Sequence, residues 1–224
     1  MTSENAAIPK TSPWLYPMLL VAVLAAVLLS VFVGRYPEPY WMPARYLWKD
    51  VLARRLVIHL RLPRMVTALV MGMVLAASGT VMQTIFRNPL VCAGFLGVSQ
   101  GAAFGAALSI VLLTPSPMII ESFATVFALA GLLLSYVLAW NIRYGDWVLR
   151  LVLAGIVSSA LFSSGVGVLK YVADPLKELP DIVFWLMGGL WAVTWRDTLY
   201  VVPVAVLTLV LLLLMRHRLN LLAL

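Results

Sequence analysis

The sequence contains one cysteine, Cys92, and two histidines, His59 and His217. A single thiol excludes an internal disulfide and any cysteine-based metal centre. With no HxxH or CxxC pairing, the sequence offers no ligand set for a resident metal. Charge is scarce too: charged residues make up 11% of the chain, against about a quarter in a soluble domain. No carboxylate pair falls within an apolar run, and Glu121 stands alone near a helix end, where snorkelling to the interface accounts for it. No G-x-x-x-x-G-K-[ST] loop occurs, so the chain has no Walker site for ATP. What it has in excess is oil. Hydrophobic residues make up 63% of the 224 positions, gathered into long runs almost free of charge, which is the transmembrane signature. The sixteen Lys and Arg, which set the net charge at +7, lie almost wholly between those runs; this argues against a nucleic-acid patch.

Six segments satisfy the roughly 17–25 apolar residues a membrane helix needs, or come close to it. They are Trp14–Val33, Met65–Phe86, Val98–Leu113, Met118–Ile142, Trp147–Val172 and Thr198–Leu214. The third is short and is closed by Pro115 and Pro117. The sixth holds Pro203, which membrane helices tolerate. Pro180 to Leu190 is too short to cross and, with Gly188 and Gly189 near its end, reads as a half-helix dipping back toward the protein. No small-x-small cleavage site follows Val33, so the first run reads as a retained helix rather than a signal peptide. The sequence therefore predicts an all-α polytopic membrane bundle of about six helices plus a re-entrant half-helix. The eight tryptophans, Trp14, Trp41, Trp48, Trp140, Trp147, Trp185, Trp191 and Trp195, fall at or beyond the ends of spans, as aromatic belts require.

Two spans carry small residues every fourth position. The third has Gly97, Gly101, Gly105 and Ser109; the fifth has Gly155, Ser159, Ser163 and Gly167. Residues four apart share a helical face, and small ones let backbones approach closely. The first reading is helix packing at Gly97, Gly101, Gly105 and Gly167. The other, for the fifth span, is a polar lining of a solute path at Gly155, Ser159 and Ser163. Gly97-Val98-Ser99-Gln100-Gly101 also matches the G-x-S-x-G nucleophile elbow, but no strand precedes it and neither histidine lies inside a span. An enzyme is therefore not expected.

Topology is contested by the charge count. With a cytoplasmic N-terminus, Lys10, Arg87, Arg143, Arg150, Arg216 and Arg218 lie inside. Arg35, Arg45, Lys49, Arg54, Arg55, Arg61, Arg64, Lys170, Lys177 and Arg196 lie outside, six against ten, which opposes the positive-inside rule. Setting aside the Arg35–Arg64 segment reverses the vote. That segment needs its own reason to be external.

A set of separated blocks supplies one. Arg61-Leu62-Pro63-Arg64, Ala76-Ala77-Ser78-Gly79, Gln83, Arg87-Asn88-Pro89-Leu90 and Leu96-Gly97-Val98-Ser99-Gln100-Gly101-Ala102 come in this order. Leu153-Ala154-Gly155-Ile156, Phe184-Trp185-Leu186-Met187-Gly188-Gly189 and Leu219-Asn220-Leu221-Leu222-Ala223-Leu224 follow. From about Arg61 onward they resemble the permease subunit of binding-protein-dependent ABC importers for iron-siderophores, haem and cobalamin.

The resemblance implies a multi-pass protein of the inner or plasma membrane with its N-terminus in the cytoplasm. It implies a non-catalytic subunit that pairs with a second permease, as a homo- or heterodimer, and with two ATPase subunits that use the ATP. An external soluble binding protein delivers an iron-siderophore or a related metal chelate (haem, cobalamin). The fifth helix helps line the path, and Arg61 and Arg64 dock the binding protein through its glutamates. The chain itself is expected to hold no cofactor, no metal and no nucleic acid; lipid surrounds it. It reads as a single transmembrane permease domain over 1–224, with a cytoplasmic tail at 1–13 and an external basic segment at 34–64. Two departures stand out. Trp147, Val148 and Leu149 do not match the family's usual small polar gate, and the family's roughly ten helices exceed the six here. The sequence thus corresponds to the N-terminal part of a ten-helix permease. The alternative is a structural membrane subunit or a transport-inactive truncated permease.

Overall fold

The computed structural model describes residues 12–34, 36, 40–113 and 116–223. Lys10, the tail up to residue 11, Arg35, Pro115 and Leu224 lie outside the described residues. Helix α1 (Leu15–Phe32) leads into a two-residue antiparallel ribbon, β1 (Val33–Gly34) with β2 (Tyr40–Trp41), in which Val33 pairs with Trp41. Short helices α2 (Tyr46–Lys49) and α3 (Val51–Leu56) follow. A single π-helical turn, Val57–Arg61, then joins α3 to α4 (Leu62–Phe86). The rest is α5 (Val98–Leu112), α6 (Pro117–Asn141), α7 (Trp147–Val172), α8 (Glu178–Met187) and α9 (Trp195–Ala223).

The six expected spans are α1, α4, α5, α6, α7 and α9, and the expected half-helix is α8. Five of the helical stretches are long and apolar enough to cross a membrane: Leu15–Phe32, Val51–Phe86, Pro117–Asn141, Trp147–Val172 and Trp195–Leu219. Helix α5 has 15 residues, about 22 Å of helix against a hydrocarbon core of about 30 Å. Its setting explains the shortfall. Gly101, Ala103, Gly105, Ala106, Ala107, Ser109 and Ile110 are buried, whereas α1 has no buried residue. A helix enclosed by protein can end inside the bilayer because its terminal backbone groups need not face lipid. Helix α9 runs on to Ala223, past the expected end at Leu214, with Pro203 inside it.

Helix ends follow local chemistry. Ser116 Oγ accepts from the Ile119 N–H at 3.4 Å and Pro117 opens α6, a cap plus a first-turn proline. At the α6–α7 turn, Arg150 reaches back to donate from Nε to the Gly145 carbonyl and from Nη1 to the Ile142 carbonyl, each at 3.0 Å. These are carbonyls that the end of α6 leaves without helical partners. Asp174 Oδ1 accepts from the N–H groups of Leu176 (2.7 Å) and Lys177 (3.2 Å), while Glu178 returns a carboxylate oxygen to the Asp174 N–H at 3.0 Å. This reciprocal arrangement starts α8, and Gly188, at φ +69°, stops it.

Contacts group the chain into two compact units. One comprises Met1–Met71 with Leu190–Val204, the other Gly72–Gly189 with Ala205–Leu224; α4 and α9 each contribute to both. In the first, Met42, Ala53 and Val57 are buried against Val31, Phe32, Tyr46, Leu47 and Leu62. In the second, α5 packs against α6, α7 and α8, and α6 against α7. Ile182 of α8 is buried with Ala107, Ile110 and Ala173.

Candidate functional site

The second unit is built around a zipper of glycines. A Cβ added at Gly97, Gly101 or Gly105 would fall within 3.0 Å of a neighbour: Ser158 Oγ, the Phe127 carbonyl and the Phe123 carbonyl respectively. One added at Gly131 would strike the Gly97 carbonyl. The pairs 97–131, 101–127 and 105–123 step four residues at a time in opposite directions, as two antiparallel helices in backbone contact must. Gly97 also has φ +78°, a left-handed conformation that favours glycine. It turns the chain from the Cys92–Gly97 connection into α5.

Two serines missed by the sequence reading hold that connection in place. Ser135 Oγ on α6 donates to the Leu96 carbonyl at 2.8 Å, and Ser158 Oγ on α7 donates to the Gly131 carbonyl at 3.2 Å. Both are fully buried. Gly155 lies under the same turn, where a Cβ would meet the Phe95 carbonyl at 2.9 Å. The available signal was position: Ser135 stands four residues beyond Gly131, and Ser158 three beyond Gly155.

The expected stripe on α7 therefore divides. Gly155 is buried, Ser159 is half-buried, and Ser163 and Gly167 are exposed. A Cβ on Gly167 would meet nothing within 4 Å, so within this chain it makes no close approach. The packing face of α7 runs instead through Ala154, Gly155, Ser158 and Val166. Ser159 joins Cys92, Gly94, Phe95, Ser99, Gln100 and Ile156 around an open groove of about 360 Å³. The side chains of Ser99, Gln100 and Ser159 have no hydrogen-bond partner among the described residues. The groove is polar and uncharged, and fits transient contact with a solute better than tight retention. Ser99, the apparent elbow serine, opens α5 after a turn and not after a strand. Among the described residues, no group of three His, Cys, Asp or Glu is placed to hold a metal.

The first unit holds the basic segment. Arg61 is half-buried, and its guanidinium donates to the Val31 and Tyr36 carbonyls. Arg64, also half-buried, donates to the Trp191 carbonyl, and its Nε is buried without a partner. Both arginines expected to meet an external carboxylate thus bind backbone within their own unit. Arg45, Lys49, Arg54 and Arg55 are exposed. The Tyr36 hydroxyl donates to Asp50 Oδ2 at 2.9 Å, and Asp50 Oδ1 caps α3 through the Leu52 N–H at 2.8 Å. The Tyr36 hydrogen bond, then the Leu52 N–H, hold the Asp50 carboxyl below the usual carboxylate range, while the same contact raises the Tyr36 phenol.

Residues 20–224 match the FecCD transport family. The chain is 41% identical to an iron chelatin transport system permease protein of Helicobacter pylori, over 93% of this chain and 65% of that one. It is 36% identical to a molybdate import system permease protein of Haemophilus influenzae, over 94% and 64%. Identity to a hemin transport system permease protein of Yersinia pestis is 38%, over 75% and 51%. A solved metal-chelate type ABC transporter in an inward-facing conformation superposes with a TM-score of 0.81 at 34% identity, covering 95% of this chain and 65% of its own. The chain thus spans about 65% of the length of that structure and of the Helicobacter relative.

Proposed function

This chain belongs to the FecCD transport family, and from that premise we propose that it is the membrane-spanning part of a permease subunit in an ATP-driven importer of an iron-siderophore or a related metal chelate. The family match across residues 20–224 carries the reading. The printed names of the relatives, iron chelatin, hemin and molybdate permeases, support the solute class. The subunit pairs with a second permease and works with two ATPase subunits, which hydrolyse the ATP. A soluble external binding protein delivers the chelate to the basic segment. The N-terminus is cytoplasmic, with Lys49 outside and Arg143 inside.

The groove bearing Ser99, Gln100 and Ser159 is a segment of the solute path. Its hydroxyl and amide groups offer hydrogen bonds to the polar shell of a chelate without a fixed charge to trap it. Gly155 keeps the Phe95–Gly97 turn close to α7 and so shapes one wall. Ser163, one turn further along α7, extends the polar face.

The test is uptake by the assembled transporter in vesicles, comparing ferric siderophore, haemin, cobalamin and molybdate. Expected is ATP-dependent accumulation of one metal chelate, lost when the ATPase is inactivated. Accumulation of molybdate alone overturns the solute class. Chelate entry without ATP overturns the mechanism.

A further inference from the structure

Resting on the binding-protein reading above, we propose that the cations that meet the acidic partner are Arg45, Lys49, Arg54 and Arg55, with Arg61 and Arg64 acting behind them as positioning residues.

Commitment is the first argument. Arg61 donates to the carbonyls of Val31 and Tyr36, and Arg64 to that of Trp191. Turning either guanidinium toward a partner would strip a hydrogen bond from a carbonyl, and an unmade bond costs more than a made one contributes. Arg45, Lys49, Arg54 and Arg55 carry no such obligation. Arg45 lies over its neighbour's ring, 5.3 Å from the centroid of Tyr46, and none of the four has a carboxylate partner among the described residues. The one acid between residues 40 and 64 is Asp50, already held by the Tyr36 hydroxyl and the α3 cap.

Height above the membrane is the second argument. The continuous helical stretch Val51–Phe86 has 36 residues, about 54 Å of helix for a core of about 30 Å. Its first turns must therefore stand clear of the hydrocarbon or the stretch must tilt steeply. The tryptophans set the level. Trp195 Nε1 donates to the Ile58 carbonyl at 2.6 Å, and Arg64 is tied to Trp191. Tryptophans mark the headgroup layer, so Ile58 to Arg64 lie at that level. Val51, seven residues earlier, lies about 10 Å farther out, beyond the roughly 5–8 Å of headgroup on one side. Arg54 and Arg55 stand on these outer turns. Helix α2 is held beside them, because Met42, Tyr46 and Leu47 pack with Ala53 and Val57.

The composition of the face is the third. Trp48 is 90% exposed between Arg45 and Lys49, and Leu52 is 50% exposed beside Arg54. An exposed tryptophan ringed by arginines is how protein interfaces concentrate their binding energy. The four cations supply steering for an acidic surface.

The experiment places the assembled transporter in nanodiscs and measures association of the labelled solute-binding protein of the same transport system at low and moderate salt. Replacing Arg45, Lys49, Arg54 and Arg55 together by Glu is expected to weaken association at least about tenfold and to flatten its salt dependence. The thermal midpoint of the permease should stay put. Arg61→Gln and Arg64→Gln are expected to lower that midpoint, while the folded fraction still binds within about threefold. Wild-type association by the fourfold variant overturns the assignment and leaves the binding-protein reading standing. So does loss of association in Arg61→Gln or Arg64→Gln with an unchanged midpoint. If the fourfold variant loses only its retention of phosphatidylglycerol, the face belongs to lipid and the assignment falls. If the wild-type assembly fails to bind at any salt, the underlying reading falls with it.

Discussion

The hydroxyl oxygens of Thr67 and Thr198 lie 2.9 Å apart, both side chains buried, one on α4 and the other on α9. Thr198 also reaches the Thr194 carbonyl at 3.0 Å. A double-mutant cycle of Thr67→Val and Thr198→Val should return a coupling of about 0.6 kcal/mol, the average for such bonds between membrane helices. Reversible unfolding in mixed micelles measures it. A coupling near zero would mean that each hydroxyl is satisfied by its own helix.

Glycines on one helix should differ sharply from glycines on another. Gly101→Ala and Gly105→Ala force a methyl against the Phe127 and Phe123 carbonyls and should each destabilise by about 1–3 kcal/mol. Gly167→Ala, facing open space, should stay within about 0.5 kcal/mol of the parent. Thermal midpoints of the three variants, read side by side, decide this.

Adjacent serines on α7 should separate transport from folding. Ser158→Leu buries a large side chain where a hydroxyl donates to the Gly131 carbonyl, and should abolish a folded product. Ser159→Leu protrudes into the groove and should slow uptake several-fold with yield and dimerisation unchanged. Equal loss of yield in both variants would refute the assignment of Ser159 to the path.

The Asp50–Tyr36 contact sets a pH window. A carboxyl held below its ordinary value contributes fully above about pH 4 and loses that contribution as pH falls through its lowered value. A phenol raised above about 10 contributes below that pH and loses its share as pH rises further. Between these limits, amide exchange across residues 50–56 should be slow and insensitive to pH after correction for intrinsic rates. Below pH 4 protection should fall, and Asp50→Asn should remove that acid step.

Much of the helical layout was legible because charge and proline punctuate it: Arg143 to Asp146 separate α6 from α7, and Gly188 closes α8 near the expected place. The spacing of Gly97, Gly101 and Gly105 announced a close approach but not the partner, since periodicity on one helix says nothing about the carbonyls opposite. Arg61 and Arg64 were recognisable as a motif, yet their hydrogen bonds depend on where Val31, Tyr36 and Trp191 end up. Ser135 and Ser158 escaped because buried serines look like any others until a carbonyl is placed within reach. The π turn had no compositional signal at all, because its i→i+5 pattern uses the same residue types as an ordinary helix.

That turn, Val57–Arg61, changes what a length difference means in this segment. A π turn holds one residue more than the α-helical path it replaces, and each residue of an α-helix advances the azimuth by about 100°. A wheel drawn straight through residues 51 to 86 therefore misphases one end against the other. Removing His59, which is exposed and makes no side-chain contact among the described residues, should convert the turn to regular helix while keeping Ala53 and Thr67 on their present sides. Removing one residue from the middle of α4 has no such slack to absorb it and should rotate everything beyond the cut. Deletion tolerance along this stretch should peak at the π turn, so that homologous chains one residue shorter there can share the same external face.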